Sequence, residues 1–258
     1  SDDSVAVLRA LQKTSPIPIT VLANTVNSGF AAANNQAMLH AKGTYVLLLN
    51  SDTIAAPGAL AQLVQTISEH ETDNLGLLSA TLTNSDGSIQ PQGGDLPTLM
   101  SLFVFALLLD DIPVLGKLLP SHQHTGRRFH QSAGSKLEYK GWVAGTALLI
   151  RSSLIPQIGV LDEQIFMYAE DIEFCWRAHK AGWRSAIDHS ALVTHLGSQS
   201  SSPATALIGE FVSLKYVLNK HLPSWQRPLA LFLLKLAART RFMLFSLLKK
   251  TEKVKTYR

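Results

Sequence analysis

The sequence predicts an α/β fold: a Rossmann-like, mostly parallel sheet flanked by helices, followed by an amphipathic helical tail. Two observations carry this. Short apolar runs bounded by Pro, Gly, Asn and Asp alternate with longer stretches of helical periodicity, the order that builds a parallel sheet covered on both faces. After about residue 200 the alternation stops, and 228–250 reads PLALFLLKLAARTRFMLFSLLKK, apolar with basic residues gathered mostly on one side.

The 258 residues suffice for one large domain or two small ones with a substantial core. Hydrophobic residues make up 46% and charged residues 16%, an apolar balance for a globular chain. The formal charge is +4, and Lys and Arg concentrate toward the C-terminal end, which suits an anionic lipid surface as well as nucleic acid. Cys175 is the single cysteine, so no intrachain disulfide forms and nothing argues for an oxidising compartment. No basic-then-apolar leader opens the sequence.

Taken in order, Ser1-Asp2-Asp3-Ser4 ahead of VAVLRALQK reads as a capped helix start. Ile17 to Ala23, beside Pro16 and Pro18, reads as a strand. Asn27-Ser28-Gly29-Phe30 then turns into a helix that Gly43 stops. Tyr45 to Leu49 is an unbroken apolar run, the pattern of a strand buried on both faces. It ends in Asn50-Ser51-Asp52. Ligands of open α/β sheets bind outside the carboxyl ends of strands, so Asp52 stands where a carboxylate can meet one. The same three residues also suit a turn and a cap for the helix expected from Pro57 to about His70. Leu75 to Leu82 is the next strand, and Asn84-Ser85-Asp86-Gly87 is a hairpin turn signal.

Leu99 to Leu109 is too short to span a bilayer and suits either a core helix or a patch resting on a membrane. Ser121 to Lys136 is polar, with His122, His124 and His130 beside Arg127 and Arg128, and reads as a loop rather than a metal site. Trp142 to Ile150 reads as a strand containing Gly145. A helix follows from Tyr168 to about Ala181, with Glu170 and Asp171 in its first turn. Carboxylates there suit the helix dipole, which alone accounts for one acid. Two adjacent acids among Phe166, Met167, Tyr168 and Phe174 also suit a general base, because an apolar wall raises a carboxylate's proton affinity. WRSAIDH and ALVTHL read as two strands, the second ending at His195 as the earlier run ends near Asp52; Asp and His are compatible ligands for a divalent cation.

In the tail, Lys235, Arg239, Ser246, Lys249 and Lys250 share one helical side, with Arg241 the outlier. Charges within a span cost about 2.5–3.5 kcal/mol each, which disfavours a transmembrane helix. An interfacial helix with snorkelling Lys and Arg fits, and a core helix packed on the sheet is the alternative.

Five segments in order, NSGFAAANNQAM, YVLLLNSDT, WVAGTALLIRSS, IGVLDEQIFMYAEDIEFCWRAHKAGW and HLGSQS, resemble family-two inverting glycosyltransferases of the GT-A fold. Within that family they resemble rhamnosyltransferase-type enzymes of bacterial cell-surface polysaccharide synthesis. The resemblance implies a catalytic domain over 1–200, N-terminally incomplete because the family's first strand has no counterpart, and a helical tail over 201–258. It implies transfer of a sugar, with inversion, from a nucleotide-diphosphate donor to a hydroxyl of a glycan or lipid-linked acceptor. Asn50-Ser51-Asp52 stands at the family's metal-binding motif, with Asn where many members have Asp. Asp52 and His195 are thereby expected to hold Mg2+ or Mn2+. Asp171 is the expected catalytic base, with Glu170 beside it. Asn27, Gly29, Phe30, Asn35, Asn50 and Asp52 are expected near the nucleotide sugar, and Trp142, Gly145 and Arg177 on the acceptor side. A cytoplasmic protein is expected, peripheral on the inner face of the membrane through 99–109 and 228–250, with no nucleic-acid partner. Two other readings stand beside this one: a nucleotidyltransferase, which would need a basic, Gly-rich phosphate loop not visible here, and a truncated non-catalytic domain that binds membrane or a partner.

Overall fold

Local chemistry sets most elements of the computed structural model, which describes residues 3–112, 115–121, 136–197 and 203–247. The first half runs α1 (Ser4–Thr14), α2 (Gly29–His40), β1 (Tyr45–Leu49), β2 (Thr53–Ala55), α3 (Ala59–Glu69), β3 (Leu75–Thr83), β4 (Gly93–Gly94), α4 (Leu99–Ala106) and α5 (Leu115–Leu118). The second runs β5 (Leu137–Lys140), β6 (Trp142–Val143), β7 (Ala147–Arg151), α6 (Ile155–Ile158), α7 (Glu170–Lys180), β8 (Arg184–His195), α8 (Pro203–His221) and α9 (Arg227–Leu247). The Asn84–Gly87 turn forms as its residues dictate, Gly87 N–H donating to Asn84 O at 2.9 Å, and returns the chain along β3. α4 starts at a capping box, with the Ser101 amide on Thr98 Oγ1 and the Thr98 amide on Ser101 Oγ. The histidine-rich stretch 122–135 and the basic residues Lys249 and Lys250 lie outside the described residues.

The main sheet has the order β1-β7-β3-β8-β2, with β5 also on β8. β1, β3 and β8 share one direction, but β7 runs against them and separates β1 from β3. Among the described residues only the β3–β8 ladder is therefore parallel, and the expected mostly parallel pairing is corrected to a mixed one. The physical reason is connectivity: β7 enters from the excursion that follows β3, not from a crossover helix. Four other expectations are corrected. Ile17 to Ala23 joins no ladder among the described residues. Among the described residues β1 borders only β7 and is half-buried, whereas β7 is buried throughout and β3 in all but Thr83. Trp142–Ile150 is broken at Ala144–Thr146, where a turn replaces the ladder, and the two strands expected after Gly182 are one strand, β8, with a register shift near Asp188.

The core has three parts. Leu63 and Ile67 of α3 cover one face of the sheet against Leu75, Leu78 and Val193. α2 and α7 cover the other through Ala31, Met38, Phe174 and Cys175. A further layer lies over α7, where Ile172 and Trp176 meet Leu102 and Phe105 of α4, Leu214 and Leu218 of α8, and Leu233 and Leu234 of α9. α7 is thus apolar on two sides, and each buried large side chain there contributes roughly 1.5–3 kcal/mol. The tail outlier Arg241 is buried because it donates to Phe105 O at 3.0 Å and stacks its guanidinium 3.6 Å from the Phe105 ring centroid.

Polar contacts also fasten α8 to α7. Glu173, fully buried, accepts from Arg177 at 2.7 Å, Lys220 at 2.8 Å and His221 Nε2 at 3.0 Å, and the His221 ring stacks on Trp176. Burial alone would raise its pKa; the bonds from His221, Arg177 and Lys220 outweigh it and hold the carboxyl at about 2. A folded value below the ordinary 4.5 gives stability that is present above pH 4.5 and lost as pH falls toward 2. Glu173→Gln is therefore expected to lower the urea unfolding free energy at pH 7 by roughly 3 kcal/mol, because it removes the buried carboxylate that Arg177, Lys220 and His221 share. The gap from wild type should narrow across that acid window. A loss under about 0.5 kcal/mol at pH 7 contradicts this coupling.

Candidate functional site

A cavity of about 410 Å³ opens at the carboxyl end of β1. Its walls come from five places: Phe30 on α2, Asn50 to Asp52 after β1, Trp142 on β6 with Gly145 and Thr146 before β7, Met167 to Ile172 at the start of α7, and His195 at the end of β8. Glu210 on α8 closes one side.

Asp52 is fixed by the turn between β1 and β2. Asn50 N–H donates to Thr146 O at 2.9 Å, and Thr53 Oγ1 donates to Asn50 O at 2.6 Å. β2 then pairs with β8 so that Thr53 lies opposite His195, which brings His195 Nε2 to 3.3 Å from Asp52 Oδ2. Gln90, on the strand-like return of the hairpin, orients this histidine. Its Nε2 donates to His195 O at 2.8 Å and to Asn84 Oδ1 at 2.7 Å, leaving Oε1 to accept from His195 Nδ1 at 2.9 Å. In the neutral ring Nε2 then carries the lone pair beside Asp52, a nitrogen–oxygen donor set that suits Mg2+ or Mn2+. No group of three His, Cys, Asp or Glu residues forms a metal cluster among the described residues. Two protein donors fit an ion that takes its other ligands from water and phosphate oxygens.

Glu170 and Asp171 open α7 after two consecutive residues in left-handed conformation, Tyr168 at φ 69° and Ala169 at φ 63°. Non-glycine residues pay roughly 1–2 kcal/mol each for that conformation, and such strain persists only where the surroundings impose it. Here Phe30 N–H donates to Phe166 O at 2.9 Å and Ser213 Oγ to Met167 O at 3.1 Å, which pin the turn from both sides. Gly29, at φ 87°, is required below it, since a Cβ would strike Phe166 O. Asp171 Oδ1 accepts from Ile172 N–H at 2.8 Å and Oδ2 from Gly145 N–H at 3.3 Å. Burial pushes its pKa up to about 6 against these two bonds. Glu170 is pushed to about 8 by burial and then by the Asp171 charge, and its Oε2 is buried without a partner among the described residues. As a coupled pair they titrate near 6 and near 8, and Asp171, bound by two amides, is the more basic-acting member at neutral pH. Glu210 is raised to about 7, by burial and the Asp171 charge against the pull of Arg241.

Asp52, His195, Glu170, Asp171, Phe30, Asn50, Trp142 and Gly145 therefore meet at one cavity. Other expected site residues do not line it. Asn35 is buried and fastens the 161–163 loop through Leu161 and Glu163. Asn27 accepts from Gly29 N–H and shapes the start of α2. Arg177 is committed to Glu173 and to the carbonyls of Ile158 and Val160. Sequence reasoning missed Gln90 and Glu210. Glu210 had a usable signal, being the only acid in Pro203–His221; Gln90 had none.

The sequence profile of Glycosyl transferase family 2 matches residues 1–87. An N-acetylglucosaminyl-diphospho-decaprenol L-rhamnosyltransferase of Mycobacterium tuberculosis is 30% identical over 215 residues, covering 82% of this chain and 67% of that protein. A low-salt glycan biosynthesis hexosyltransferase of Haloferax volcanii is 28% identical over 158 residues, 60% of this chain and 44% of its own. Among solved structures, a mannosyltransferase from Pyrobaculum calidifontis in complex with GDP-Man and Mn2+ superposes with TM-score 0.56 at 15% identity. It covers 95% of this chain, which spans 63% of its length. GalNAc-T7 with UDP, GalNAc and Mn2+ gives the same TM-score over 85% of this chain and 40% of its own.

The Gln90 network makes its own prediction. Gln90→Leu removes the acceptor from Nδ1, so the His195 ring should shift from its Nδ1–H toward its Nε2–H tautomer, read from imidazole 15N shifts. An unchanged tautomer in the variant contradicts the orienting role.

Proposed function

The chain belongs to glycosyl transferase family 2, its fold is of the GT-A type, and from that premise we propose that it transfers a sugar from a nucleotide-diphosphate donor, with inversion, in cell-surface glycan synthesis. The observation that carries the reading is Asp171, a carboxylate gripped by two amides in the cavity wall, with Asp52 and His195 in the same cavity. The Mycobacterium tuberculosis relative supports a rhamnosyl-type transfer to a lipid-linked acceptor.

In this mechanism an acceptor hydroxyl attacks the anomeric carbon from the face opposite the diphosphate. The new C–O bond forms as the bond to the diphosphate oxygen breaks, and Asp171 takes the hydroxyl proton, worth on the order of 10²–10⁴ in rate. Its affinity near 6 suits a base at neutral pH, and Glu170, protonated, avoids a second charge beside it. Asp52 and His195 would hold Mg2+ or Mn2+, whose Lewis acidity compensates charge on the departing diphosphate. The Mn2+ complexes among the solved relatives support this choice of ion.

The membrane reading is also ours. α4 and α9 share a core through Leu102, Phe105, Leu233 and Leu234, while Met100, Phe103 and Phe232 are exposed at 57%, 43% and 58%. Exposed Lys235 and Arg239 on α9 supply charge for anionic headgroups on the inner face. No described helix is long and apolar enough to cross a membrane.

Three results test these statements. Asp171→Asn should lower turnover at least about 10²-fold with donor affinity little changed, and wild-type turnover should rise with pH through about 6; a variant of wild-type rate removes Asp171 from the role. Asp52→Ala and His195→Ala should each weaken the Mn2+ dependence of donor binding in calorimetry, and equal dependence in all three proteins rules the site out. Replacing Phe103 and Phe232 together by Ser should abolish flotation with anionic vesicles while circular dichroism is unchanged. Flotation at wild-type level rejects that surface.

A further inference from the structure

α8 contributes a carboxylate to the cavity that the transfer chemistry does not use. Glu210 shares the cavity lining with Trp142 and Tyr168, beside Glu170 and Asp171. Its position is built rather than incidental. Ser213, about one turn further along α8, donates to Met167 O, and Gly209 abuts the Tyr168 ring so closely that a Cβ there would come to 3.0 Å from it. The strained turn that starts α7 and the helix that carries Glu210 are therefore one rigid wall. Glu170 adds an independent sign of a ligand: it is 7% exposed, and its Oε2 finds no protein partner among the described residues.

We infer that Glu210, with Trp142 and Tyr168, binds the sugar ring of the acceptor, and that this ring is neutral at the subsite. The inference rests on the sugar-transfer reading. A carboxylate accepts from two neighbouring hydroxyls of a pyranose, and charge-assisted bonds of this kind are about twice as strong as neutral ones. Aromatic side chains offer apolar faces to the C–H faces of the same ring. Where Asp171 and Glu210 are ionised, two carboxylates on one wall oppose a phosphate or carboxylate on the ring, since like charges a few ångströms apart in a poorly solvated site repel strongly. Any acceptor diphosphate must then lie outside this wall. Glu210 thus both selects and orients, presenting one hydroxyl to Asp171.

The test uses octyl N-acetylglucosaminide and its 6-phosphate as probes, with binding measured by ligand-observed NMR. Wild type should bind the neutral glycoside and discriminate against the phosphate. Glu210→Gln should weaken neutral binding by about tenfold and reduce the discrimination by a similar factor. Glu210→Asp, which keeps the charge, should retain the discrimination. Equal neutral affinity in wild type and Glu210→Gln, or no binding of the glycoside by wild type, overturns the assignment. Calorimetry with a panel of nucleoside diphosphates and Mn2+ is read separately. Unchanged affinity in Glu210→Gln shows an intact fold and donor site, while no nucleotide binding by wild type rejects the sugar-transfer reading itself.

Discussion

Two carboxyl groups, Glu170 and Asp171, sit side by side in the first turn of α7, in surroundings that disfavour charge on both. Neither could stay there on helix-dipole attraction alone, worth about 1 kcal/mol or less. Three arrangements keep them in place. The amides of Gly145 and Ile172 bind Asp171, the preceding turn is forced into left-handed conformation at Tyr168 and Ala169, and α8 braces that turn through Ser213. The site is therefore an outcome of how α7 is trapped between the sheet and the C-terminal helices. The local preference of its own residues does not explain it.

That trapping changes the meaning of the C-terminal helices. α9 buries Ala230, Leu233, Leu234 and Ala237 against α4 and α8, and leaves Phe232, Lys235 and Arg239 outside. The core-helix reading of this segment holds for one face, and the other, exposed face is the one the proposed interfacial contact would use. Through Glu173, Lys220 and His221 the same layer reaches the middle of α7, the element that carries Asp171.

Much of this was legible in the residues, and the remainder fails for identifiable reasons. Asp52 and His195 were placed at strand ends, and strand ends met. Glu170 and Asp171 stand out among apolar neighbours in the sequence, and burial is the main influence on both in the fold. β1 was expected to be buried on both faces because Tyr45 to Leu49 is uniformly apolar, but composition does not report how many neighbours a strand has. Ile17 to Ala23 has strand composition, and a strand needs a partner that composition does not supply. Gly145 looked like a strand residue, whereas its role is to present a backbone amide to Asp171, which no side-chain pattern encodes. Arg241 broke the helical wheel of the tail and proved to be the buried cation, stacked on Phe105. Gln90 acts across a long sequence separation, and single-sequence periodicity carries no such information.

The central claim is that burial splits the acid pair into one carboxyl that stays protonated and one that serves as base. Carboxyl 13C titration, with signals assigned through Asp171→Asn and Glu170→Gln, measures this directly. The account predicts two coupled steps, one near 6 and one near 8, the upper falling when Asp171 is neutralised. Two independent titrations near the ordinary values of 3.8 and 4.5 would contradict it.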